Sequence, residues 1–279
     1  MTDHRDWTGK VGEIWAQEWR RTDRSFRALT PLLLARARQA PFRRVLDIGC
    51  GAGEIACDLA EAHAEAAIVG VDISPELLAV ARERAARFAN VHFVHGDAAV
   101  FSPGAGDPFD LLVSRHGVMF FPEPSGAFAN LRARAGTGAR LVFSCFRTRA
   151  ENAWVGTTLA ALPQPPAPPE PREPGPFAFG ERSYVADILD SAGWREVTFE
   201  AIDFRMVFGE GADPVADATD YLSRVGPTAT PIAALPEADR AATLARLSAI
   251  LERECGAGSV QLPAAAWIVT AIASDRPEP

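Results

Sequence analysis

One stretch decides the fold of this chain: Val45-Leu46-Asp47-Ile48-Gly49-Cys50-Gly51-Ala52-Gly53-Glu54. Residues 45–48 are mostly apolar, glycines follow at alternate positions, and residues 55–60 have the apolar spacing of a helix. A short apolar run bounded by glycines predicts a buried strand, so the glycines form a turn from a strand into a helix. Glycine lets a ligand approach the backbone closely, and the first N–H groups of a helix are unpaired. The sequence therefore predicts a ligand-binding turn.

The glycine spacing alone does not identify the ligand. Gly51-Ala52-Gly53-Glu54-Ile55-Ala56 also fits the dinucleotide-binding pattern G-x-G-x-x-G/A. Asp47 lies at the end of the predicted strand. Its carboxylate would repel a pyrophosphate but attract a ligand with an ammonium or sulfonium group. The pattern does not indicate a nucleoside-triphosphate loop, because no Gly-Lys-Ser/Thr follows.

At these residues the chain resembles the class I S-adenosylmethionine-dependent methyltransferases, whose first motif reads acid-x-Gly-x-Gly-x-Gly. Asp47, Gly49, Gly51 and Gly53 match it. The resemblance extends over residues 40–146 by motifs and over 183–273 by the order of elements only. It implies an α/β fold with a Rossmann-like, seven-stranded, mostly parallel sheet, helices on both faces, an antiparallel last strand and helical lid insertions. It also implies S-adenosylmethionine as the cofactor and S-adenosylhomocysteine as its product.

Two further predicted strands are followed by an acid. Residues 67–72 end in Asp72, which lies 19 residues after Gly53, and residues 91–95 lead to Asp97. In a doubly wound sheet these strand ends lie beside the glycine turn, where the Asp72 carboxylate can accept hydrogen bonds from both ribose hydroxyls. Ser74 is predicted to cap the next helix, with Pro75 in its first turn, so Asp72 is not needed as the cap.

The resemblance assigns the cofactor pocket residue by residue. It implies that the methionine part is held by Asp47, Gly49, Cys50, Gly51 and Gly53, the ribose by Asp72 and Ile73, and the adenine by Asp97 and Ala98, with Ser114 and Arg115 bordering the sulfur.

The loop after the strand at 109–114 is where an acceptor molecule should meet the methyl group, because open α/β sheets bind ligands beyond the carboxyl ends of their strands. His116 in this loop is a candidate general base, since histidine titrates near neutral pH; the alternative is a packing or hydrogen-bonding role. Ser114-Arg115-His116-Gly117 departs from the Asn/Asp-Pro-Pro-Tyr motif of many methyltransferases that act on amide or base nitrogens. Oxygen or carbon methylation is therefore preferred.

We expect a single domain over residues 1–279 with three variable pieces. Residues 1–40 are predicted to be a cap of two amphipathic helices, in which Trp15 and Trp19 either pack on the core or close over the cofactor. Residues 147–182 are a proline-rich lid insertion, and 209–258 are a helical insertion. These pieces predict an enclosed pocket for a small, partly apolar acceptor.

Composition excludes several other classes. The net charge of −8 gives no attraction to nucleic acid or anionic lipid, so neither is an expected partner. The four cysteines form no C-x-x-C pair, which predicts reduced thiols and no metal site. The chain shows neither a signal peptide nor 18 uninterrupted apolar residues, so the cytoplasm is the expected compartment. The sequence does not predict an oligomeric state.

Two alternative functions stay open. An NAD(P)-dependent oxidoreductase shares the glycine turn and Asp72, but usually supplies a Tyr-x-x-x-Lys pair. Tyr184 and Tyr221 are followed at the fourth position by Ile188 and Val225 instead. A non-catalytic protein that binds S-adenosylmethionine or S-adenosylhomocysteine on the same fold is the second alternative.

Overall fold

One mixed sheet runs through the computed structural model, which describes residues 7–102 and 108–274. Within those residues its strands are β1 (Arg44–Ile48), β2 (Ala67–Asp72), β3 (Val91–His95), β4 (Phe109–Arg115), β5 (Ala135–Phe146), β6 (Trp194–Glu210), β7 (Cys255–Gly256) and β8 (Ser259–Ala273).

The helices of the described residues cover the sheet and its carboxyl edge. They are α1 (Lys10–Gln17), α2 (Trp19–Ser25), α3 (Thr30–Ala37), α4 (Glu54–Ala62), α5 (Pro75–Arg84), α6 (Pro124–Arg134), α7 (Ala153–Leu159), α8 (Arg182–Ser191), α9 (Pro214–Arg224), α10 (Ala229–Ala234) and α11 (Glu237–Glu254), with short 3-10 helices at Gly117–Phe120 and Arg149–Glu151. No helix in this part of the chain is long and apolar enough to cross a bilayer.

The strand order confirms the predicted Rossmann-like fold. The order is β3-β2-β1-β4-β5-β8-β6, and β1 to β5 pair in parallel. Strand β8 lies antiparallel between β5 and β6, as the resemblance implied for the last strand. The two-residue β7 pairs with β8 and adds an eighth strand to the seven that were predicted.

Strand β1 lies at the point where the strand order reverses. It pairs with β2 on one side and β4 on the other, and residues 45–48 are buried. In an open parallel sheet such a reversal leaves a crevice beyond the carboxyl ends of the two central strands. The glycine turn that follows β1 therefore opens into that crevice.

Some element bounds differ from the sequence prediction. The cap contains three helices rather than two, because the chain breaks at Glu18, whose buried carboxylate pairs with Arg21 and Arg224. Strand β6 continues to Glu210, beyond the predicted start of the second insertion, since its pairing with β8 extends along its length.

The proline-rich insertion returns to the body of the protein. After α7 its chain has no helix or strand up to α8. The Gly175 N–H donates to the Met119 carbonyl at 3.1 Å, the Phe179 side chain is buried, and Trp267 Nε1 donates to the Gly180 carbonyl at 3.2 Å. The segment thus forms a wall beside the 3-10 helix that follows β4.

The cap docks on α5 through Gly12, a buried glycine of α1. A Cβ atom at this position would lie 2.5 Å from Ser74 Oγ and would also meet the carbonyl oxygen of Trp7. Helix α1 therefore approaches the start of α5 as closely as a glycine allows.

We expect Gly12→Val to lift the cap from α5. The added side chain has no space, and overpacking of this kind costs about 1–3 kcal/mol in the free energy of unfolding. Urea denaturation measures the loss, and limited proteolysis measures how readily residues 7–40 are cleaved. Gly126→Ala in α6 is the control, since nothing lies within 4 Å of its added Cβ. A Gly12→Val protein as stable and as resistant as wild type would show that α1 does not depend on this contact.

Candidate active site

A cavity of about 1150 Å³ opens at the carboxyl edge of the sheet. Single-ligand pockets occupy about 300–1,000 Å³, so this cavity has room for two small molecules. Its walls come from the cap, the glycine turn, the ends of β2 to β5, the proline-rich segment, and helices α9 and α10. The cavity brings together most of the residues predicted to bind a cofactor, namely Trp15, Trp19, Asp47, Gly49, Cys50, Gly51, Asp72, Ile73, Asp97, Ala98 and Arg115, and also His116.

The glycines of the turn have different neighbours. Gly51 has a φ of 51° and lines the cavity, and nothing lies within 4 Å of the position where a Cβ would stand. Gly53 does not line the cavity; a Cβ there would lie 3.0 Å from both Ala81 Cβ and Phe93 Cζ. Gly51 therefore leaves space for a ligand, whereas Gly53 lets α4 pack against its neighbours, which is a different role from the predicted cofactor contact.

Asp47 is a buried carboxylate without a full set of partners. Its side chain is 1% exposed, and Oδ2 has no hydrogen-bond partner among the described residues. Burial raises the pKa of Asp47 to about 7; the charge of Arg115 opposes this rise and that of Asp72 adds to it. A buried, unpaired carboxylate is costly, and a cationic group in the cavity would remove that cost. The observation fits the predicted ammonium ligand.

Asp72 joins the glycine turn to the end of β2. Its Oδ2 accepts the Gly51 N–H at 2.8 Å and its Oδ1 accepts the Ser74 N–H at 2.9 Å. Each carboxylate oxygen keeps a further lone pair, so Asp72 can still accept ligand hydroxyls. The predicted cap is confirmed, because Ser74 Oγ accepts the Leu77 N–H at the start of α5.

The end of β3 contributes a third acid to the same wall. Asp97 Oδ1 accepts the Ala99 N–H at 2.8 Å, which fixes the turn after the strand. Asp97 and Ala98 line the cavity, as does Ile73 after β2. The acids at the ends of β2 and β3 thus make one side of the cavity negative, and Asp47 at the end of β1 adds to this charge when it is ionised.

Arg115 and Ser114 hold the protein together at this edge. The Arg115 guanidinium pairs with Glu54, with Asp23 at 3.1 Å and with Thr30 Oγ1 at 2.9 Å. It lines the cavity, but its charge is already shared with two carboxylates of the protein.

Ser114 does not line the cavity. Its Oγ donates to the Ile48 carbonyl at 2.7 Å and accepts the Gly117 N–H at 3.2 Å. Ser114 therefore links the ends of β1 and β4, and its contact with a cofactor stays a prediction.

His116 has a left-handed backbone conformation and a buried ring. Its φ is 65°, its Nδ1 lies 2.8 Å from Ser144 Oγ, and its ring packs between Phe26 and Phe146 at centroid distances of 4.9 and 4.3 Å. Burial, aided by the charge of Arg115, lowers the pKa of His116 to about 3. A general base works best with a pKa near the operating pH, so the geometry supports a neutral, hydrogen-bonding ring instead.

Two residues that line the cavity each have a buried polar atom without a hydrogen-bond partner in the described residues. The buried side-chain polar atoms without a partner in the described residues are Asp47 Oδ2, His116 Nε2 and the Nε atoms of four arginines. Only Asp47 and His116 in this group line the cavity. The unpaired acceptor of Asp47 therefore lies near the glycine turn, and the unpaired ring nitrogen of His116 lies among the aromatic rings.

Aromatic rings form the other side of the cavity. Phe146 stacks near Trp154 and Phe177 at centroid distances of 5.8 and 5.6 Å, and Phe208 lies between Trp154 and Tyr221 at 5.8 and 6.4 Å. These side chains come from β5, the proline-rich insertion, β6 and α9. Those elements are far apart in the chain, so only the fold brings the rings to one wall.

Trp15 and Trp19 both line the cavity, in agreement with a cap that closes over a ligand. Trp19 lies between the guanidinium groups of Arg20 and Arg84, at 4.3 and 4.1 Å from its ring centroid. Trp15 packs against Trp7 at 5.3 Å. In the described residues no three His, Cys, Asp or Glu side chains cluster as metal ligands, and the four cysteines are free thiols.

Comparison with known proteins finds methyltransferases that resemble part of the chain. A family model described as a methyltransferase domain matches residues 42–164. The chain is 30% identical over 106 residues to the malonyl-[acyl-carrier protein] O-methyltransferase of Halalkalibacterium halodurans, a match that covers 37% of this chain and 39% of that relative. The chain thus spans well under half of the length of this curated relative.

Solved structures agree on the fold. The YcgJ protein of Bacillus subtilis gives a TM-score of 0.55 at 16% identity, covering 88% of this chain and 98% of that one. Phosphoethanolamine N-methyltransferase 2 of Haemonchus contortus, in complex with S-adenosylhomocysteine, gives a TM-score of 0.57 at 15% identity. This match covers 99% of this chain and 61% of that one. With the family match, these comparisons confirm the predicted resemblance to class I methyltransferases.

We expect Asp47→Asn to stabilise the protein without ligand at pH 8. The pKa of Asp47 is raised from 3.8 to about 7, so between those values the unfolded chain ionises this group while the folded chain keeps it protonated. Ionisation of Asp47 therefore lowers the free energy of unfolding as the pH rises from 3.8 to 7. The total loss is at most about 4 kcal/mol and is complete above pH 7. Thermal unfolding at pH 8 and at pH 4.5 measures the gain.

The gain from Asp47→Asn should be larger at pH 8 than at pH 4.5. Asp190→Asn is the control, because this carboxylate is 76% exposed and its ion pair contributes little. An equal gain at both pH values would contradict a raised pKa at Asp47.

We expect the His116 ring to remain neutral between pH 5 and pH 9, because its pKa is lowered to about 3. The ¹⁵N chemical shifts of the labelled ring should stay constant over this range, with the signal identified by its loss in His116→Asn. Ser144→Ala should shift the balance of the two neutral tautomers, since Ser144 holds Nδ1. A titration midpoint inside the range would show that the ring can act as a base near neutral pH.

Proposed function

We propose, from the methyltransferase domain that residues 42–164 form, that this chain is an S-adenosylmethionine-dependent methyltransferase acting on a small, partly apolar molecule. The observation that carries the proposal is the buried Asp47 carboxylate: its Oδ2 has no hydrogen-bond partner in the described residues, and Asp47 lines a cavity large enough for two molecules. A cofactor with an ammonium group satisfies that oxygen, whereas a pyrophosphate would face three carboxylates.

The chain offers a partner for each part of this cofactor. Asp47 and the backbone at Gly51 hold the methionine part, Asp72 and Ile73 the ribose, and Asp97 and Ala98 the adenine. When bound, S-adenosylmethionine supplies a methyl group already activated on a sulfonium. In support, the solved phosphoethanolamine N-methyltransferase has this fold and contains S-adenosylhomocysteine.

The protein's remaining task is to align the acceptor and to exclude water. Alignment of two reactants can supply about 7–11 kcal/mol, and a general base adds less. Phe146, Trp154 and Phe177 provide the dry wall, and the proline-rich segment and the cap cover the cavity as lids. His116 positions the acceptor through Nε2 rather than by taking its proton at neutral pH.

Oxygen or carbon methylation remains the preferred chemistry. The loop Ser114-Arg115-His116-Gly117 lacks the motif of enzymes that act on amide or base nitrogens. The name of the relative from Halalkalibacterium halodurans is that of an O-methyltransferase, which supports oxygen as the accepting atom. The aromatic wall supports a small molecule as the acceptor.

Calorimetry with S-adenosylhomocysteine and with NAD tests the cofactor. We expect micromolar binding of the first and none of the second. Asp72→Ala should weaken binding by roughly 10–150-fold, because hydrogen bonds to a charged group contribute about 1.5–3 kcal/mol. Asp190→Asn should bind like wild type. Binding of NAD in place of S-adenosylhomocysteine would overturn the proposal.

Turnover separates an enzyme from a binding protein on the same fold. Protein incubated with methyl-labelled S-adenosylmethionine and a cell extract should transfer label to a small molecule. Tight binding of S-adenosylhomocysteine without any transfer would favour the non-catalytic alternative.

A further inference from the structure

Most basic side chains of the cavity are already paired within the protein. In the described part of the chain, the cavity is lined by Lys10, Arg115, Arg149, Arg172 and Arg224. Arg115 pairs with Asp23 and Glu54, Arg172 with Glu181, and Arg224 with Glu18. Lys10 and Arg149 make no ion pair with the described residues, and of these two Lys10 is exposed whereas Arg149 is half-buried.

Arg149 lies shortly after the end of β5 and lines the cavity. It begins the 3-10 helix Arg149–Glu151, shortly after Phe146, whose ring contacts His116. The nearby carboxylate of Glu151 is occupied: it accepts Thr148 Oγ1 at 2.7 Å and pairs with Arg147. This capping arrangement fixes the backbone of the short helix and leaves the Arg149 guanidinium without an internal partner.

The other acids of the cavity do not neutralise Arg149. Asp47, Asp72 and Asp97 lie at the ends of β1, β2 and β3, on the cofactor side. On the proline-rich segment, Glu181 pairs with Arg172, and Glu173 accepts the Glu170 N–H at 3.2 Å. None of the described carboxylates comes within ion-pair distance of Arg149. Arg149 therefore keeps an available positive charge in the cavity, which the carboxylates of Glu170 and Glu173 also line.

A half-buried arginine in a cavity lined by aromatic rings is suited to bind a carboxylate. Its planar donors bind the two oxygens of a carboxylate together, and the low polarity around it strengthens the contact. The rings of Phe146, Trp154 and Phe177 contact one another and offer flat apolar surface in the same cavity. A ligand that satisfies both features has a flat apolar body and a carboxylate at one end.

We propose that the methyl acceptor is a flat, apolar molecule that carries a carboxylate, and that Arg149 binds this carboxylate. The inference rests on the proposed function for the identity of the site, because it concerns the second molecule in the cavity. It assigns Arg149 the role of a specificity-determining residue, which recognises the acceptor and leaves the cofactor side unchanged.

The test compares three probes of similar shape, of which one is negative, one neutral and one positive. The dissociation constants of 2-naphthoate, 2-naphthamide and 2-naphthylmethylammonium are measured by calorimetry on protein saturated with S-adenosylhomocysteine, and again on protein without it. We expect wild type to bind the carboxylate roughly tenfold to a hundredfold more tightly than the amide, and the ammonium most weakly. Arg149→Gln should abolish this preference, and Arg149→Lys should retain part of it.

Lys10→Gln is the matched control, because it removes the other unpaired cation of the same cavity. It should keep the carboxylate preference. An unchanged preference in Arg149→Gln, a loss of preference in Lys10→Gln, or a wild type that binds the carboxylate no more tightly than the amide would each overturn the proposal. So would displacement of 2-naphthoate by S-adenosylhomocysteine, since the probe would then occupy the cofactor side.

The two proposals fail in different ways. Absence of S-adenosylhomocysteine binding overturns the methyltransferase function, while the effect of Arg149→Gln on 2-naphthoate can still be read in protein without cofactor. Normal S-adenosylhomocysteine binding with no carboxylate preference overturns only the role of Arg149. Unchanged S-adenosylhomocysteine binding by Arg149→Gln also shows that the variant is folded.

Discussion

The site depends on the pairing of β1 between β2 and β4. Parallel pairing on both sides buries the strand and fixes where it ends, and the strand order reverses beside it. Ser114 then binds the Ile48 carbonyl from β4, and Asp72 binds the Gly51 N–H from β2. The glycine turn is thus held from both neighbouring strands, so its backbone is ordered without a bound ligand.

A buried ion network extends this order to the cap. Arg115 at the end of β4 pairs with Asp23 of α2 and Glu54 of α4, and Asp23 also pairs with Arg84 of α5 at 2.9 Å. Burial raises the pKa of Glu54 despite the adjacent guanidinium, so the network carries a desolvation cost. The network fixes the position of the cap, because it joins α2 to α4 and α5, the two helices that begin at the cofactor side of the cavity.

The charges of the cavity divide it into two unlike halves. The acids at the ends of β2 and β3 make one half negative, and Asp47 adds to this charge when it is ionised. Aromatic rings line the other half, together with the neutral His116, the unpaired Arg149 and the carboxylates of Glu170, Glu173 and Glu181 on the proline-rich segment. A cationic, polar cofactor and an apolar, anionic acceptor would each favour a different half. This arrangement would order the two molecules before any chemistry takes place.

The sequence by itself determined the sheet, the glycine turn and the acids at the strand ends, because strand periodicity and glycine turns are local in the chain. Tertiary structure alone decided which residues are available to a ligand. Ser114 and Gly53 serve the packing of strands and helices. Burial lowers the pKa of His116, so its ring is neutral. Carboxylates distant in sequence pair with Arg115, whereas none of the described carboxylates pairs with Arg149. Burial and pairing are set by contacts between distant segments, so no local pattern reveals them.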